Sequence, residues 1–523
     1  MPFAAGFGTF NNLFGNYTHL VEGCHPLVLK VRIETVPTHD RLSALDTSFL
    51  HLERDGAHMH VASVLVFAGE APTHEGFMAG VEARLHLVPR YRQRLAYVPL
   101  AQGRPVWVDD PHFNIAYHVR HSALPVPGGE RELRNLAGRL FAQPLDRHKP
   151  LWDMVLVERI QDEDGERRFA IISKTHHSLV DGVSGVDIMS VLFDLTPDAP
   201  APEPPDAAWV PRPTPTAPEL LAEALLERAT VPREAARGLR ALTRAPREVV
   251  GRAAEGLSGL GALAFASAAS PAPPTPLNVE IGPHRRYTWV DADVPTFKAI
   301  KTALGGTLND VVLASVALAL GRFLRERGED TEDLVLKAMI PVSVRADAQR
   351  GALGNKVATM WAPLPVGIDD PAAVLAIVHA AMQGLKESGQ AVGAATLTTL
   401  ADFAPPTIMT QAARLQSRQR YFNVVVTNVP GPQLPLYMQG RRLERFYPVV
   451  PLARRQALGI AIMSYDGKLG YGLLADYDAM PDLESLAGHL DDAIDDLASA
   501  AGVERGIRGN AAVTRRADAM AAS

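Results

Sequence analysis

Cysteine and excess positive charge are both scarce in this chain of 523 residues. Cys24 is the only cysteine, which excludes an intramolecular disulfide, a zinc centre built from several thiolates and a CxxC redox site. A chain of this kind fits the reducing cytoplasm. The formal net charge is −6, so no broad cationic surface is available to displace counterions from nucleic acid. DNA and RNA are therefore disfavoured as main partners.

Long apolar runs are also missing. The longest extends from Val311 to Leu320 with one serine in it, far below the roughly 18 residues that indicate a membrane span. The first twenty residues contain no basic segment followed by an apolar core and a small-residue cleavage site, so we expect no secretory signal. Any association with a membrane is expected to be peripheral.

What the chain does have is material for a large core. Hydrophobic residues make up 47% of it, and at roughly 150 residues per domain the length predicts two to four domains. Apolar stretches that alternate with helical patterns predict a mixed α/β class. We expect five segments: a disordered extension at 1–40, a first domain at 41–196, a linker at 197–276, a second domain at 277–503 and a mobile tail at 504–523.

Two proline clusters bracket the linker, one between Pro197 and Pro218 and the other between Pro271 and Pro276. Proline fixes φ and lacks an amide donor, so these segments are predicted to be stiff spacers. Between them, residues 219–256 carry Leu and Ala at helical spacing together with many arginines. This helix is predicted either to pack as a solvated element along the domain junction or to lie at a lipid interface.

Period-two patterns and turn signals predict several strands. An amphipathic helix is predicted at the end of the second domain. The predicted elements are a hairpin of Met154–Ile160 with Arg167–Lys174, a strand Tyr421–Thr427, a hairpin of Ala457–Ser464 with Leu469–Leu474 turning at Asp466-Gly467, and a helix Asp482–Ala500.

The first hairpin leads directly into a pair of histidines. Its second arm continues as Thr175-His176-His177, and the following Ser178-Leu-Val-Asp181 matches a capping box that opens a helix. His177 is therefore expected at a strand-to-helix corner, where one side chain can be held facing outward. Because an imidazole titrates near neutrality, it is the usual general base for removing a proton from an alcohol. The pattern predicts acyl transfer to oxygen.

Two other interpretations of the pair remain open at this point. Two histidines followed four residues later by Asp181 offer proper ligands for a metal ion. The capping box already uses Asp181, however, and no third ligand cluster is visible in the sequence, so we predict no metal. The pair could also be ordinary buried histidines with no role beyond hydrogen bonding, although the Asp181-Gly182 spacing makes that less favoured.

These residues resemble the HHxxxDG signature of the CoA-dependent acyltransferase superfamily, which includes chloramphenicol acetyltransferase and the condensation domains of peptide synthetases. Further landmarks narrow the resemblance to the bacterial wax ester synthase/diacylglycerol acyltransferase family. They occur in the order Leu42–Asp46 with Phe49-Leu50, then Pro150-Leu151-Trp152 (PLW), then Asn309-Asp310 (ND), then Asn423 to Pro432 around Asn428.

The resemblance implies a fold of two chloramphenicol-acetyltransferase-like domains, each a mixed sheet flanked by helices, joined by the long linker and meeting at a tunnel. It implies transfer of a long-chain acyl group from acyl-CoA to diacylglycerol, and also to fatty alcohols, with His177 as general base and no acyl-enzyme. No bound cofactor is implied, because acyl-CoA is a substrate. The implied location is cytoplasmic, with peripheral contact at a membrane or lipid-droplet surface. The alternatives are a condensation-type or small-molecule acyltransferase, or a non-catalytic droplet protein.

The other residues of the HHxxxDG stretch are expected to support His177. His176 would hold the corner by packing or by a hydrogen bond to backbone. Asp181 would be structural, and Gly182 would either keep the pantetheine entrance clear or allow close helix packing. Gly182-Val-Ser184-Gly185 is one residue too short for a nucleophile elbow, which agrees with direct transfer.

Residues of the later motifs are expected to divide between structure and chemistry. Thr307-Leu-Asn309-Asp310 matches a second capping box, which makes Asp310 structural and leaves Asn309 to orient the reacting groups. Thr427 or Asn428 is the candidate oxyanion donor, unless Asn428 only forms a turn. Pro150 and Leu151 are structural motif residues, and Trp152 is predicted to be a packing residue.

Overall fold

The computed structural model describes residues 40–53, 56–161, 165–180, 193–200, 207–227, 271–343, 357–387 and 421–507. The predicted extension before residue 40, Asp181, Gly182 and Ser184, and the predicted tail after residue 507 lie outside these ranges. So does most of the predicted linker helix. Its first part is helical at 217–227, where Leu220 packs on the buried Val106 and Val108.

Strands with alternating or continuous apolar patterns account for two large sheets. In chain order the strands of the described residues are β1 (His60–Ala68), β2 (Gln93–Ala96), β3 (Val106–Asp109), β4 (Val119–Ser122), β5 (Trp152–Gln161), β6 (Arg167–His176), β7 (Arg285–Asp293), β8 (Val335–Ser343), β9 (Val357–Pro365), β10 (Val424–Pro430), β11 (Tyr437–Met438), β12 (Arg441–Val449), β13 (Leu458–Tyr465) and β14 (Lys468–Asp476).

The first sheet has the strand order β11-β12-β1-β6-β5-β4 and the second has the order β7-β14-β13-β10-β8-β9, while β2 and β3 pair separately. Both large sheets are mixed. In the first, β4 runs parallel to β5 beside antiparallel pairs. In the second, β10 runs parallel to both β8 and β13. The predicted mixed α/β class with two sheet-bearing domains is confirmed.

Both predicted hairpins form. The first is the antiparallel pair β5 and β6, and the second is the pair β13 and β14. At the second turn Asp466 and Gly467 have φ values of 44° and 78°, the left-handed pair that a tight hairpin turn needs. The strand expected from Tyr421 begins later, at Val424, and continues to Pro430.

Several of the helices begin after a residue whose side chain caps them. Besides the helical residues 217–227, the α-helices of the described residues are α1 (Ala44–Leu52), α2 (His74–Glu82), α3 (Ile115–His118), α4 (Glu130–Phe141), α5 (His177–Val180), α6 (Val294–Leu304), α7 (Leu308–Glu326), α8 (Pro371–Glu387) and α9 (Leu483–Ala500). The predicted capping box of Thr307 and Asp310 opens α7. The final helix α9 starts after Asp482 as predicted.

Helix α7 lies in the core of the second sheet, where its residues from Asp310 to Leu320 are all buried. Within the ranges given above, no single helix combines the length and apolar composition of a membrane span. Only α6 and α7 taken together, across a bend of 94°, meet that test.

The two sheets are joined through β12. This strand lies late in the chain, inside the predicted second domain, yet it pairs antiparallel with β1 and so completes the first sheet. It also lies against β14 of the second sheet, where glycines allow close approach. A Cβ built on Gly470 or Gly472 would overlap the carbonyl oxygen of Phe446 or Pro448. The junction therefore depends on the absence of side chains at two positions of β14.

Gly472→Ala should lower the free energy of unfolding by about 3 kcal/mol, because the new methyl group meets backbone that cannot move aside. The measurement is urea denaturation followed by circular dichroism. Gly384→Ala is the matched control, since a Cβ there has nothing within 4 Å and replacing glycine in helix α8 should stabilise by about 0.5 to 1 kcal/mol. Equal stability of the two variants would contradict this account of the junction.

Candidate active site

The histidine pair lies at a strand-to-helix corner, as predicted. Strand β6 ends at His176 and helix α5 begins at His177. The His176 N–H donates to the Leu151 carbonyl at 2.9 Å, and the His177 N–H donates to the Met59 carbonyl at 2.8 Å. Two successive amides are thus bound to segments on opposite sides of β6, which fixes the direction in which the His177 side chain leaves the backbone.

His176 is fully buried and acts as the N-cap of α5. Its Nδ1 accepts a hydrogen bond from the Ser178 N–H at 3.1 Å, and the Ser178 hydroxyl lies 2.7 Å from the same atom. A ring nitrogen that accepts from an amide carries no proton, so in the neutral ring the proton is on Nε2. The predicted hydrogen bond from His176 to backbone is confirmed.

The prediction that Ser178 caps this helix is wrong. The helix begins two residues earlier than the capping-box pattern implied, at His177 in place of Leu179, so Ser178 lies inside the first turn. An N-cap side chain accepts from the amide two or three residues ahead, and at this corner His176 takes that position. Asp181 lies outside the described residues, and its structural role stays a prediction.

The imidazole of His177 stacks on the ring of Phe49, with ring centroids 4.0 Å apart and an interplanar angle of 29°. Phe49 belongs to α1, whose start is fixed by a capping box between Ser43 and Asp46. His177 is half-buried. One face of the imidazole is therefore covered by an aromatic ring from a helix that is itself anchored at its first turn.

Glu53, immediately after α1, brings together a cluster that the sequence did not reveal. Its Oε2 accepts from Arg147 Nη2 at 2.5 Å and from Arg147 Nε at 3.0 Å, and lies 3.6 Å from His176 Nε2. Its Oε1 lies 3.3 Å from His60 Nε2 and 3.6 Å from His58 Nδ1. His60 pairs with His176 across β1 and β6, so the cluster lies directly behind the corner.

The cluster pairs a carboxylate with a guanidinium. Burial by itself raises the pKa of the Glu53 carboxyl, but contacts with the surrounding histidines, led by His176, outweigh it and hold that pKa well below its ordinary value. Burial lowers the pKa of His60 to about 3, which leaves this ring neutral. Burial also opposes ionisation of Arg147, yet Glu53 outweighs it and raises the pKa of the guanidinium.

One set of side chains in the described residues has the donor atoms for a metal ion. Ligand atoms of Glu53, His58 and His60 lie within 4.8 Å of one another, and two imidazoles with one carboxylate suit zinc. Arg147, however, already neutralises the carboxylate and takes one of its oxygens. We assign no metal there, and the expectation of a metal-free site remains a prediction.

The PLW motif supports the corner from the next strand. Pro150, Leu151 and Trp152 are all buried. Leu151 supplies the carbonyl that receives the His176 amide. The Trp152 indole donates from Nε1 to the Tyr91 carbonyl at 2.8 Å, and its ring stacks on His118 with centroids 4.6 Å apart. The predicted packing role of Trp152 is confirmed.

The later motifs meet on the second sheet. Asn428 donates from Nδ2 to Asn309 Oδ1 at 3.2 Å, which joins the ND motif to the stretch around Asn428. Asn428 and the half-buried Thr427 lie within β10, which runs on to Pro430, so Asn428 is a strand residue and not part of a turn. The structure thus places the predicted residues in two groups, one at the His176-His177 corner and one around Asn309.

The carboxylate of Asp310 forms structural contacts. It is buried, its Oδ2 accepts from the Thr307 N–H at 2.8 Å, and the same oxygen lies 2.7 Å from His379 Nδ1 on α8. One carboxylate therefore closes the capping box of α7 and ties α8 to it.

Family models match both halves of the chain. Residues 42–312 match the wax ester synthase/diacylglycerol acyltransferase catalytic domain, and residues 353–498 match the WS/DGAT C-terminal domain. The chain belongs to the wax ester synthase/diacylglycerol acyltransferase family. It is an acyltransferase, and the matched ranges contain the corner, the PLW motif and the group around Asn309.

Individual members of the wax ester synthase/diacylglycerol acyltransferase family agree. A Mycobacterium tuberculosis protein named as a diacylglycerol O-acyltransferase is 34% identical over 88% of this chain and 90% of its own length. The solved wax ester synthase/diacylglycerol acyltransferase of Marinobacter aquaeolei VT8 is 28% identical with a TM-score of 0.62, covering 88% of this chain and all of that one. The starter condensation domain of rhizomide synthetase is 16% identical with a TM-score of 0.53, covering 89% of this chain and 95% of that one, and shares the fold alone.

The sequence interpretation missed Glu53, His58, His60 and Arg147 as neighbours of the pair. One signal was available, because Glu53 is followed by histidines at 58 and 60, a spacing that puts both imidazoles on one side of an extended segment. Nothing local connects Arg147 to Glu53, which lies 94 residues away. Only the fold reveals that contact.

Asp310→Ala should lower the free energy of unfolding by about 2 to 3 kcal/mol, because it leaves the Thr307 amide and the His379 ring without a charged acceptor. Thermal and urea unfolding measure the change. Asp369→Ala is the control, since this exposed carboxylate forms only a surface ion pair with Arg325 and should matter by less than about 1 kcal/mol. Unchanged stability of Asp310→Ala would rule out the structural role.

Proposed function

We propose that this acyltransferase moves a long-chain acyl group from acyl-CoA to diacylglycerol, and also to long-chain alcohols, with His177 as general base and without an acyl-enzyme. The observation that carries the proposal is the half-buried imidazole of His177, held at a strand-to-helix corner by its own amide and by Phe49. The names of the relatives support the acceptor class.

General-base catalysis needs an imidazole that is fixed in space and able to accept a proton. The contacts with Met59 and Phe49 supply the first requirement. In the proposed reaction His177 removes the proton of the acceptor hydroxyl as its oxygen attacks the thioester carbonyl carbon. A C–O bond forms, the C–S bond breaks, and the proton passes from His177 to the departing thiolate, which leaves as the CoA thiol.

The other groups have narrower proposed roles. His176 would hold the corner and would not touch substrate, because both of its ring nitrogens face protein groups. Asn309 and Asn428 form one hydrogen-bonded pair, which supports a shared role in orienting substrate or stabilising the oxyanion. No bound cofactor is needed for this chemistry, since CoA arrives as part of the acyl donor.

Neutral-lipid acceptors require access to a bilayer or droplet surface, and we propose a peripheral contact. Leu100 is 82% exposed. It and Ala101 both have positive φ, at 56° and 52°, a conformation that costs free energy in residues other than glycine. A strained tip that presents a leucine to solvent supports a shallow lipid contact.

His177→Ala should lower turnover by about 10²- to 10⁴-fold, because the acceptor hydroxyl loses its base. The assay mixes purified protein with palmitoyl-CoA and either diolein, hexadecanol or no acceptor, and follows thiol release together with ester product. The surface variant His148→Ala, whose side chain is 92% exposed, should behave as wild type.

Thiol release that needs an acceptor supports direct transfer, whereas a stoichiometric burst without acceptor would contradict it. A folded His177→Ala protein with near wild-type turnover would exclude the proposed base. If neither diolein nor hexadecanol is acylated by wild type, the acceptor assignment is wrong.

Leu100→Asp should weaken binding to phosphatidylcholine vesicles that contain diolein, because a carboxylate resists entry into the interface. Co-sedimentation measures the bound fraction. Val210→Asp is the control, since Val210 is 75% exposed in the segment that precedes the 217–227 helix. Equal loss in both variants, or no loss in Leu100→Asp, would argue against a contact at this tip.

A further inference from the structure

We infer that Glu53 is a positioning residue for acyl transfer, which fixes the corner that carries His177 and balances the charge of Arg147 beside it. Glu53 does not belong to the HHxxxDG stretch and contacts the pair only through the fold. The inference rests on the proposed role of His177, because Glu53 acts through that residue.

The first step is the path from Glu53 to the His177 ring. The Glu53 N–H donates to the Phe49 carbonyl at 3.2 Å and closes α1. Phe49 stacks on His177. Arg147, bound to the Glu53 carboxylate, also donates to the Leu50 carbonyl at 2.9 Å. The last turn of α1 therefore connects the carboxylate with the aromatic ring that covers the base.

The second step is the path through His176. Its Nδ1 is occupied by the Ser178 amide, so its proton is on Nε2, and Nε2 lies 3.6 Å from Glu53 Oε2. The carboxylate thus faces the protonated side of the ring while the other side caps α5. Turning His176 would break the cap and displace the helix start at His177.

The third step is charge. The titratable groups that face Glu53 come from several elements: His58 and His60 from the start of β1, His176 from β6, and Arg147 from the segment before β5. In addition to burial and Glu53, Lys174 lowers the pKa of His60 and Tyr97 raises the pKa of Arg147. Arg147 donates to the Leu50 carbonyl, one residue after Phe49, whose ring stacks on His177. Without the carboxylate, the Arg147 guanidinium would lose its counter-charge, and an uncompensated positive charge in this region disfavours a protonated imidazole.

Two variants separate charge from geometry. Glu53→Gln keeps the shape and should lower kcat by roughly tenfold, whereas Glu53→Ala removes the contacts and should lower it by roughly 10²-fold. In both, the KM for palmitoyl-CoA should stay within about threefold of wild type, since substrate binding is not altered directly.

The pH profile distinguishes the two roles, because a merely structural role of Glu53 would not shift it. The acidic limb of kcat/KM reports the pKa of the free base. Because the uncompensated Arg147 lowers that pKa, the limb of Glu53→Gln should move to lower pH by about one unit. The double variant Glu53→Gln with Arg147→Met removes both charges and should return the limb towards its wild-type position.

Glu444→Gln is the matched control. Glu444 of β12 forms a similar part-buried pair, 2.7 Å from Arg168 Nε. Arg168 lies on β6 eight residues before His176, which is about 26 Å along the strand. The Glu444→Gln variant should keep the kcat and the pH limb of wild type while losing a comparable amount of stability.

Several outcomes would overturn the inference. A folded Glu53→Gln with an unshifted limb would reduce Glu53 to a structural residue, and so would the same limb shift in Glu444→Gln. Elemental analysis of wild type covers the metal alternative, because stoichiometric zinc whose removal by chelator abolishes activity would make Glu53 a ligand. Wild type and His177→Ala are assayed in parallel. If wild type is inactive or His177→Ala is active, the proposed function is wrong. If Glu53→Gln is unaffected while His177→Ala is inactive, only this inference is wrong.

Discussion

Two backbone hydrogen bonds fix the position of His177, the proposed base. The amides of His176 and His177 donate to Leu151 and Met59, carbonyls that lie on opposite sides of β6. Because β6 is an inner strand of the first sheet, His177 is positioned by the sheet and not by a loop. Side chains then complete the surroundings of the imidazole. Phe49 covers one face of the His177 ring, and Glu53 lies beside the neighbouring His176.

The parts of this arrangement that the sequence could predict are local. The β5–β6 hairpin, the corner at His177 and the capping box at Thr307 all follow from spacing within a few residues, since alternation and capping signals act at that range. The predicted start of α5 differs by two residues from the observed one, because His176 and Ser178 both have side chains that can cap a helix. The Glu53–Arg147 and Asn309–Asn428 contacts join distant segments, and no local pattern encodes them.

The join between the sheets also has consequences for the family's two domains. The C-terminal domain match covers residues 353–498, and β12 at Arg441–Val449 lies inside it, yet β12 pairs along β1. Tyr447 of β12 stacks on Trp289 of the second sheet at 4.6 Å and donates its hydroxyl to Asp291 at 2.9 Å. A single strand therefore completes one sheet and packs against the other, so neither half has a finished core without it.

In both polar motifs, one of two adjacent residues satisfies free amides at a helix start, and the other is thereby held in place. In His176-His177 the first residue caps α5 and its neighbour is the first residue of that helix. In Asn309-Asp310 the aspartate closes the capping box of α7, and its neighbour contacts Asn428. A helix start fixes its first residues only if some side chain satisfies the free amides there. Each pair assigns one member to that task, and the other member is then held in a defined direction. This explains why both pairs occur at the start of a helix although their chemistry differs. The first pair belongs to the first sheet's half of the structure and the second pair to the second sheet's half.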